Sequence, residues 1–262
     1  MHNSSTLNSS THNSSTLNSS TFFMKNTIKQ LIKKLPIAFT QNQRYDRQTR
    51  AVIQRVCKPD SNCIDVGCHK GEMLDVMVQY APQGQHMGFE PIPGMYQALE
   101  KKYQNSNCRI LDFALSNQTG EATFNYVVSN PSYSGLQKRK YDRAEEQDTS
   151  ITVRTARLDE VLPPGQAVDL IKIDVEGGEM LVLEGAQETL LKHRPVVLFE
   201  HGLGASDYYG AGPAQVFAYF EECGYEINTM KAWLKGQKAL DKAEFERQFF
   251  QQLNYFFIAY PR

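Results

Sequence analysis

Five short apolar runs each carry an acidic residue close to their end. NCIDVG (62–67) holds Asp65 and leads into Gly67-Cys68-His69-Lys70-Gly71, and HMGFEP (86–91) holds Glu90 ahead of Pro91. CRILDFAL (108–115) holds Asp112 ahead of Phe113. VDLIKID (168–174) ends on Asp174, with Glu176 two residues on, and RPVVLFEHG (194–202) holds Glu200 ahead of His201. With 29 acidic residues in 262, chance does not readily place one at five such positions in succession. Carboxylates and an imidazole gathered at strand ends can accept hydrogen bonds from a ligand's hydroxyls, or take a proton from one.

Gly67 and Gly71 allow a tight turn and close approach of a ligand to the backbone, and the helix that follows offers free N–H groups. Glu90 follows Gly67 by 23 residues, near the ~20 expected of a carboxylate that takes a ribose diol. The D-V-G-x-x-x-G pattern is neither G-x-G-x-x-G nor G-x-x-x-x-G-K-[ST], which argues against a dinucleotide and excludes a P-loop. A turn with few glycines and no required lysine suits a nucleoside without phosphates, such as S-adenosyl-L-methionine. A nicotinamide-dependent oxidoreductase shares the acidic ribose residue and is the rival reading. Another is a cofactor-binding module that has lost catalysis.

These residues need a scaffold that lines up strand ends. The apolar runs alternate with helical periodicity at Glu72–Tyr80, Pro93–Tyr103, about Glu179 to Leu191 and Ala214–Glu222. Such alternation predicts a parallel sheet with helices on both faces, and ligands bind beyond its carboxyl ends where strand order reverses. EATFNYVV (121–128) and SITVRTARL (150–158) read as an inserted β-hairpin around a polar, charged stretch, 129–149, of which 138–146 belongs to a flap. GYEINTM (224–230) and LNYFFIAY (253–260) are the last strands, with no clear amphipathic helix between them, which predicts a terminal antiparallel pair. The expected fold is α/β with seven sheet strands.

Composition narrows the function. A net charge of -1, from 28 basic and 29 acidic residues, gives no general attraction to nucleic acid or anionic lipid and argues against an RNA substrate. The five cysteines form no C-x-x-C pair, so neither a zinc site nor a disulfide framework is indicated, and a reduced, cytoplasmic setting fits. Residues 1–23 form a low-complexity leader in which HNSSTLNSST occurs twice in tandem, with no signal-peptide pattern. Residues 24–60 form an N-terminal helical segment and 61–262 the catalytic domain. Within 25–40, Ile28, Leu31, Ile32 and Leu35 at helical spacing among lysines could rest on a membrane surface, though packing on the domain is favoured.

IDVGCHKGE (64–72), GFEPIPGMYQALEK (88–101), FALSNQTGEATF (113–124), RLDEV (157–161), IKIDVEGGEMLVLEGA (171–186) and VVLFEHG (196–202) together resemble the FkbM family of S-adenosylmethionine-dependent methyltransferases, in the family's order. The likeness runs from about Asn62 to Gly202, and IKIDVEG-x-E is its most specific part. The chain departs from the family in Cys68-His69, where Ala-Asn is usual. The resemblance implies a Rossmann-like sheet with the last strand antiparallel. It also implies methyl transfer, usually to a hydroxyl of a sugar, glycan or polyketide-type product, so the partner would be a small-molecule or glycan acceptor.

On that reading Asp65 and Gly67 shape the floor under the methionine part, with His69 and Gly71 in the turn above it. Glu90 takes both ribose hydroxyls, with Pro91 beside it. Asp112 lies near the adenine amino group, with Phe113 and Ile92 as apolar cover. An alcohol with a pKa of ~15.7 needs a general base. His201 is the expected base, oriented by Glu200 or Asp174. The same groups could instead hold a divalent metal, which nothing in the spacing requires. Lys172 shares the strand face of Asp174 and is expected to pair with it. Arg139, Tyr133, Tyr208 and Tyr209 are possible acceptor contacts.

Overall fold

The computed structural model describes residues 40–141 and 145–262. The expectations for segments 1–23 and 25–39, and for residues 142–144 of the charged flap, lie outside the described residues. The chain divides into two compact units, Met1–Arg44 and Tyr45–Arg262. The described residues of the first begin helix α1, Gln41–Val56, where Thr40 Oγ1 accepts the Gln43 N–H at 3.2 Å. The second unit contains the rest of α1, both sheets and the remaining helices.

The main sheet has seven strands in the order β3-β2-β1-β7-β8-β10-β9. These are β1 Cys63–Val66, β2 His86–Phe89, β3 Cys108–Leu111, β7 Leu170–Ile173, β8 Val196–Glu200, β9 Tyr225–Thr229 and β10 Phe256–Pro261. Strand β10 runs antiparallel to both neighbours, and all other pairings are parallel. The expected Rossmann-like sheet with its last strand antiparallel is therefore found. Strand order reverses between β1 and β7, so a ligand cleft opens at their carboxyl ends. The central strands are short and buried on both sides, which explains their unbroken apolar runs.

Helices α2 Glu72–Tyr80 and α3 Pro93–Tyr103 cross over β1→β2 and β2→β3 as the periodicity predicts. Ile53 of α1 packs with Leu74, Met77, Leu99 and Leu170 on one face of the sheet. On the other face Phe199 and Phe257 meet helices α5 Glu179–Glu184, α6 Gln187–His193, α7 Pro213–Glu222 and α9 Lys242–Phe250. Full burial of each phenylalanine there contributes about 1.5–3 kcal/mol. Helix α4, Leu158–Val161, is a single turn before β7, and α8, Met230–Leu234, follows β9.

Three local expectations change. The run 108–115 is two strands, because the chain leaves the main sheet at Asp112 and β4, Phe113–Leu115, joins a second sheet. There β4 pairs in parallel with β6, Asp148–Ala156, which pairs antiparallel with β5, Gly120–Val127. The inserted hairpin is thus part of a three-stranded sheet. The helix expected over 179–191 breaks at Gly185, where a Cβ would lie 2.0 Å from the Ser116 carbonyl oxygen. Asp159 then restarts it by accepting the Glu188 and Thr189 N–H groups. The segment between the last two strands is helical after all: α9 begins on Asp241, whose carboxylate accepts the Glu244 N–H at 2.8 Å.

Candidate functional site

The turn after β1 is stitched to β2. The Gly67 and Cys68 N–H groups both donate to the Phe89 carbonyl, at 3.0 and 3.1 Å. Gly67 has φ +75°, and a Cβ there would lie 2.0 Å from the Asp174 carbonyl oxygen. Only glycine fits, and the contact joins the β1 turn to the end of β7. His69 is also left-handed, with φ +50°. Its N–H donates to Glu90 Oε2 at 2.9 Å, while the Ile92 N–H donates to Glu90 Oε1 at 3.0 Å. The carboxylate is buried, and burial pushes its pKa up to about 7. The structure thus brings Glu90 against the turn that holds Gly67, His69 and Gly71, at the end of the strand that carries Asp65, with half-buried Pro91 directly after Glu90.

Asp112 and Phe113 follow Leu111, whose carbonyl accepts the Glu90 N–H at 3.0 Å. Asp112 pairs with Arg154 of β6, and the Arg154 guanidinium sits 4.4 Å from the Phe113 ring centroid. Asp112 ends β3 as expected, but its carboxylate is already engaged by a cation.

At the β7 end, Lys172 Nζ lies 3.2 Å from Asp65 Oδ1 and 3.3 Å from Asp174 Oδ2, the expected buried ion pair with a second carboxylate added. Burial pulls the Lys172 pKa down, but the two carboxylates overcome it and hold it above its ordinary value. Glu179 folds back over its own turn, with Oε1 accepting from the Val175 and Gly177 N–H groups at 3.0 and 3.1 Å. Its Oε2 has no partner among the described residues, and burial pushes its pKa up to about 7. Glu176 pairs with Arg139. Burial drives the Glu176 pKa up to about 8, against the pull of Arg139.

Carboxylate oxygens of Asp174, Glu176 and Glu200 lie within 4.8 Å of one another. Burial, then the neighbouring acids Asp174, Glu176 and Glu179, raise the Glu200 pKa well above the usual carboxylate range. A carboxylate so placed can accept a proton from a bound hydroxyl. Three oxygens so placed could also hold a divalent ion, but Arg139 and Lys172 already neutralise Glu176 and Asp174.

His201 does not join this cluster. Side chains alternate along β8, so Glu200 shares the face of Leu198 and His201 that of Phe199. The imidazole stacks on Phe245 and Phe249 of α9, with ring centroids 5.8 and 4.7 Å away. Its Nε2 has no partner among the described residues, and burial lowers its pKa to about 4. Orientation of His201 by Glu200 or Asp174 is therefore not what the structure contains. Phe245-x-x-x-Phe249, at helical spacing after Asp241, was the overlooked signal.

The flap reaches this site. Arg139 lies 4.8 Å from the Tyr133 ring centroid on its way to Glu176. The Tyr209 hydroxyl accepts the Gln137 N–H at 3.0 Å, and the Tyr208 hydroxyl accepts the Lys140 N–H at 3.1 Å. Both tyrosines thus strap the flap.

The family profile described as Methyltransferase FkbM domain matches residues 65–227. The chain is 30% identical over 158 residues to the 2-O-methyltransferase NoeI of Sinorhizobium fredii, an alignment covering 55% of this chain and 65% of that relative. It is 27% identical over 208 residues to the methyltransferase sdnD of Sordaria araneosa, covering 66% and 77%. A crystal structure of methyltransferase FkbM from Methylobacillus flagellatus superposes with a TM-score of 0.49 at 14% identity, covering 78% of this chain and 44% of that one.

Proposed function

The chain belongs to the FkbM methyltransferase family, and we propose that it methylates a hydroxyl oxygen on a sugar, glycan or secondary metabolite. Its cofactor is S-adenosyl-L-methionine, which supplies, when bound, an electrophilic methyl group on a sulfonium. The residues present suit that cofactor. The Gly67–Gly71 turn offers backbone in place of side chains, and Glu90 offers a buried carboxylate, fixed by two N–H groups, for a vicinal diol.

The observation that carries the reading is the convergence of Asp174, Glu176 and Glu200 beside the cofactor turn. Asp65 and Lys172 hold the floor of the site, and Lys172 holds Asp174 beside Glu200. Glu200, working with Asp174, takes the acceptor hydroxyl's proton at a carboxylate oxygen as the new bond forms. Arg139 and the tyrosine-strapped flap cover the site and exclude water. Asp112, Phe113 and Ile92 border the base of the cofactor. His201 supports the packing of β8 on α9.

The 2-O-methyltransferase named among the relatives supports oxygen as the acceptor atom. Balanced charge supports a small-molecule or glycan acceptor over nucleic acid. No helix among the described residues is long and apolar enough to cross a membrane. The free cysteines support a cytoplasmic setting. In this reading 61–262 is the catalytic domain, joined by the part of α1 that packs on it, after a leader over 1–23 and a segment over 24–60 that includes the basic stretch 25–40.

Calorimetric titration with S-adenosylmethionine, with NAD as control and Glu90→Ala alongside, tests the cofactor. Micromolar binding weakened by Glu90→Ala supports the reading. Binding of NAD alone refutes it, and binding of neither ligand leaves the impaired-module reading in front.

A further inference from the structure

A cavity of about 710 Å³ opens on the small sheet, within the range of roughly 300–1,000 Å³ usual for ligand sites. Thr123 and Asn125 of β5 stand opposite Thr152 and Ser150 of β6, so the four side chains share one polar face. Thr123, Asn125 and Ser150 line the cavity, and the Ser116–Gln118 turn closes one end. Thr123 and Ser150 are exposed, with no side-chain partner among the described residues. Among the described residues Lys138 is the only cation in the lining, and it pairs with Asp148 at 2.6 Å.

The cavity and the carboxylate site share one wall. Leu136, Gln137 and Lys138 of the flap line the cavity, and the next residue, Arg139, pairs with Glu176. A Cβ on Gly135 would lie 2.9 Å from the Tyr209 hydroxyl and 3.7 Å from Glu176 Cβ. Tyr209 itself lines the cavity, held by the Gln137 N–H.

We infer that this cavity is a second acceptor subsite, one that holds neutral sugar units of an oligosaccharide adjoining the unit methylated at Asp174 and Glu200. The inference rests on the methyltransferase reading above. Hydroxyls and amides that both donate and accept match a polyol, whose every hydroxyl does the same. The Tyr209 ring adds an apolar wall to a mostly polar cavity. A phosphorylated, sulfated or nucleic-acid ligand would need unpaired cations in the lining, and Lys138 is committed to Asp148.

The test is an array of neutral tetra- and hexasaccharides, their constituent monosaccharides, and sulfated and sialylated controls, probed with the full chain saturated with S-adenosylmethionine. The expected result is binding to at least one neutral oligosaccharide, with monosaccharides competing about tenfold or more less well, an advantage worth about 1.4 kcal/mol. Thr123→Arg and Ser150→Arg, both at exposed positions, each weaken that binding about tenfold or more and leave the S-adenosylmethionine affinity as it was. That unchanged affinity also reports intact folding. A blank array, preference for the charged controls, or unweakened binding in both variants overturns the subsite. Calorimetry separates the two claims, since failure to bind S-adenosylmethionine overturns the methyltransferase reading whatever the array shows.

Discussion

Asp174 and Glu200 lie side by side because the parallel ladder puts them there. Lys172 of β7 is in register with Leu198 of β8, and each acid is two residues further along on the same face. Their carboxylate oxygens lie within 4.8 Å of each other, and burial, then the Asp174 charge, raises the Glu200 pKa. Glu200→Gln removes the base and keeps the shape. We expect kcat to fall by about 10²–10⁴, the usual worth of a general base, with S-adenosylmethionine affinity unchanged. His201→Phe, in contrast, should retain turnover. A collapse of activity in His201→Phe with normal stability would return the base to the imidazole.

Lys172 joins Asp65 and Asp174 at 3.2 and 3.3 Å in a buried setting. Removing one partner of a buried pair leaves an uncompensated charge. Lys172→Met should lower stability by about 3–5 kcal/mol in urea unfolding, and adding Asp65→Asn should recover part of it. A loss below about 1 kcal/mol would mean that water already reaches the pair.

Gly67→Ala places a Cβ 2.0 Å from the Asp174 carbonyl and forces alanine into φ +75°. Strain and clash together should lower stability by about 3 kcal/mol or more. Cofactor affinity should fall as well, because the turn cannot keep its seat on β7. An alanine variant with native stability and affinity would show that this turn yields easily.

Burial raises Glu90, Glu176 and Glu179 from 4.5 to about 7, 8 and 7. Between those limits the folded chain binds more protons than the unfolded chain, so stability falls as pH rises. Their contribution is complete below about pH 4.5 and is lost as pH rises through about 8. His201 acts with the opposite sign: burial lowers it from 6.5 to about 4, so its contribution is lost as pH falls through about 4. Urea midpoints across this span should peak on the acid side of neutrality. Glu179→Gln, which keeps the Oε1 acceptor, should flatten the fall above about pH 6, and His201→Phe the loss on the acid side. Midpoints that stay level from about pH 6 to about pH 8 would mean that these acids are ionised in the folded chain.

Arg139 and Lys172 already serve Glu176 and Asp174, so turnover should survive exhaustive chelation. Loss of activity on EDTA treatment, restored by a divalent ion, would instead make Asp174, Glu176 and Glu200 a metal site.

Much of the scaffold was legible in the sequence. A four-residue strand buried on both faces must be apolar throughout, as CIDV and LIKI nearly are, and the exceptions Asp65 and Lys172 neutralise each other. The D-V-G turn followed by Glu90 marks a close backbone approach and a buried carboxylate within one short stretch. The break at Asp112 was hidden, because an apolar run does not say which sheet each half joins. The break at Gly185 was hidden too, because the Ser116 carbonyl packed against that glycine comes from a distant loop.

The sequence by itself determined the alternation of strands and helices, the glycine turn and the supply of acids at strand ends. These follow from local backbone preference and burial periodicity. Only the tertiary structure decided which acids meet. Alternation along β8 separates Glu200 from His201, but which side is the site depends on what packs there. Phe245 and Phe249, supplied more than forty residues later by α9, claim the imidazole for the core. Arg139 reaches Glu176 from a flap whose backbone Tyr208 and Tyr209 fasten. Long-range contacts of this kind have no period to read, since they come from the mutual fit of elements far apart in the chain.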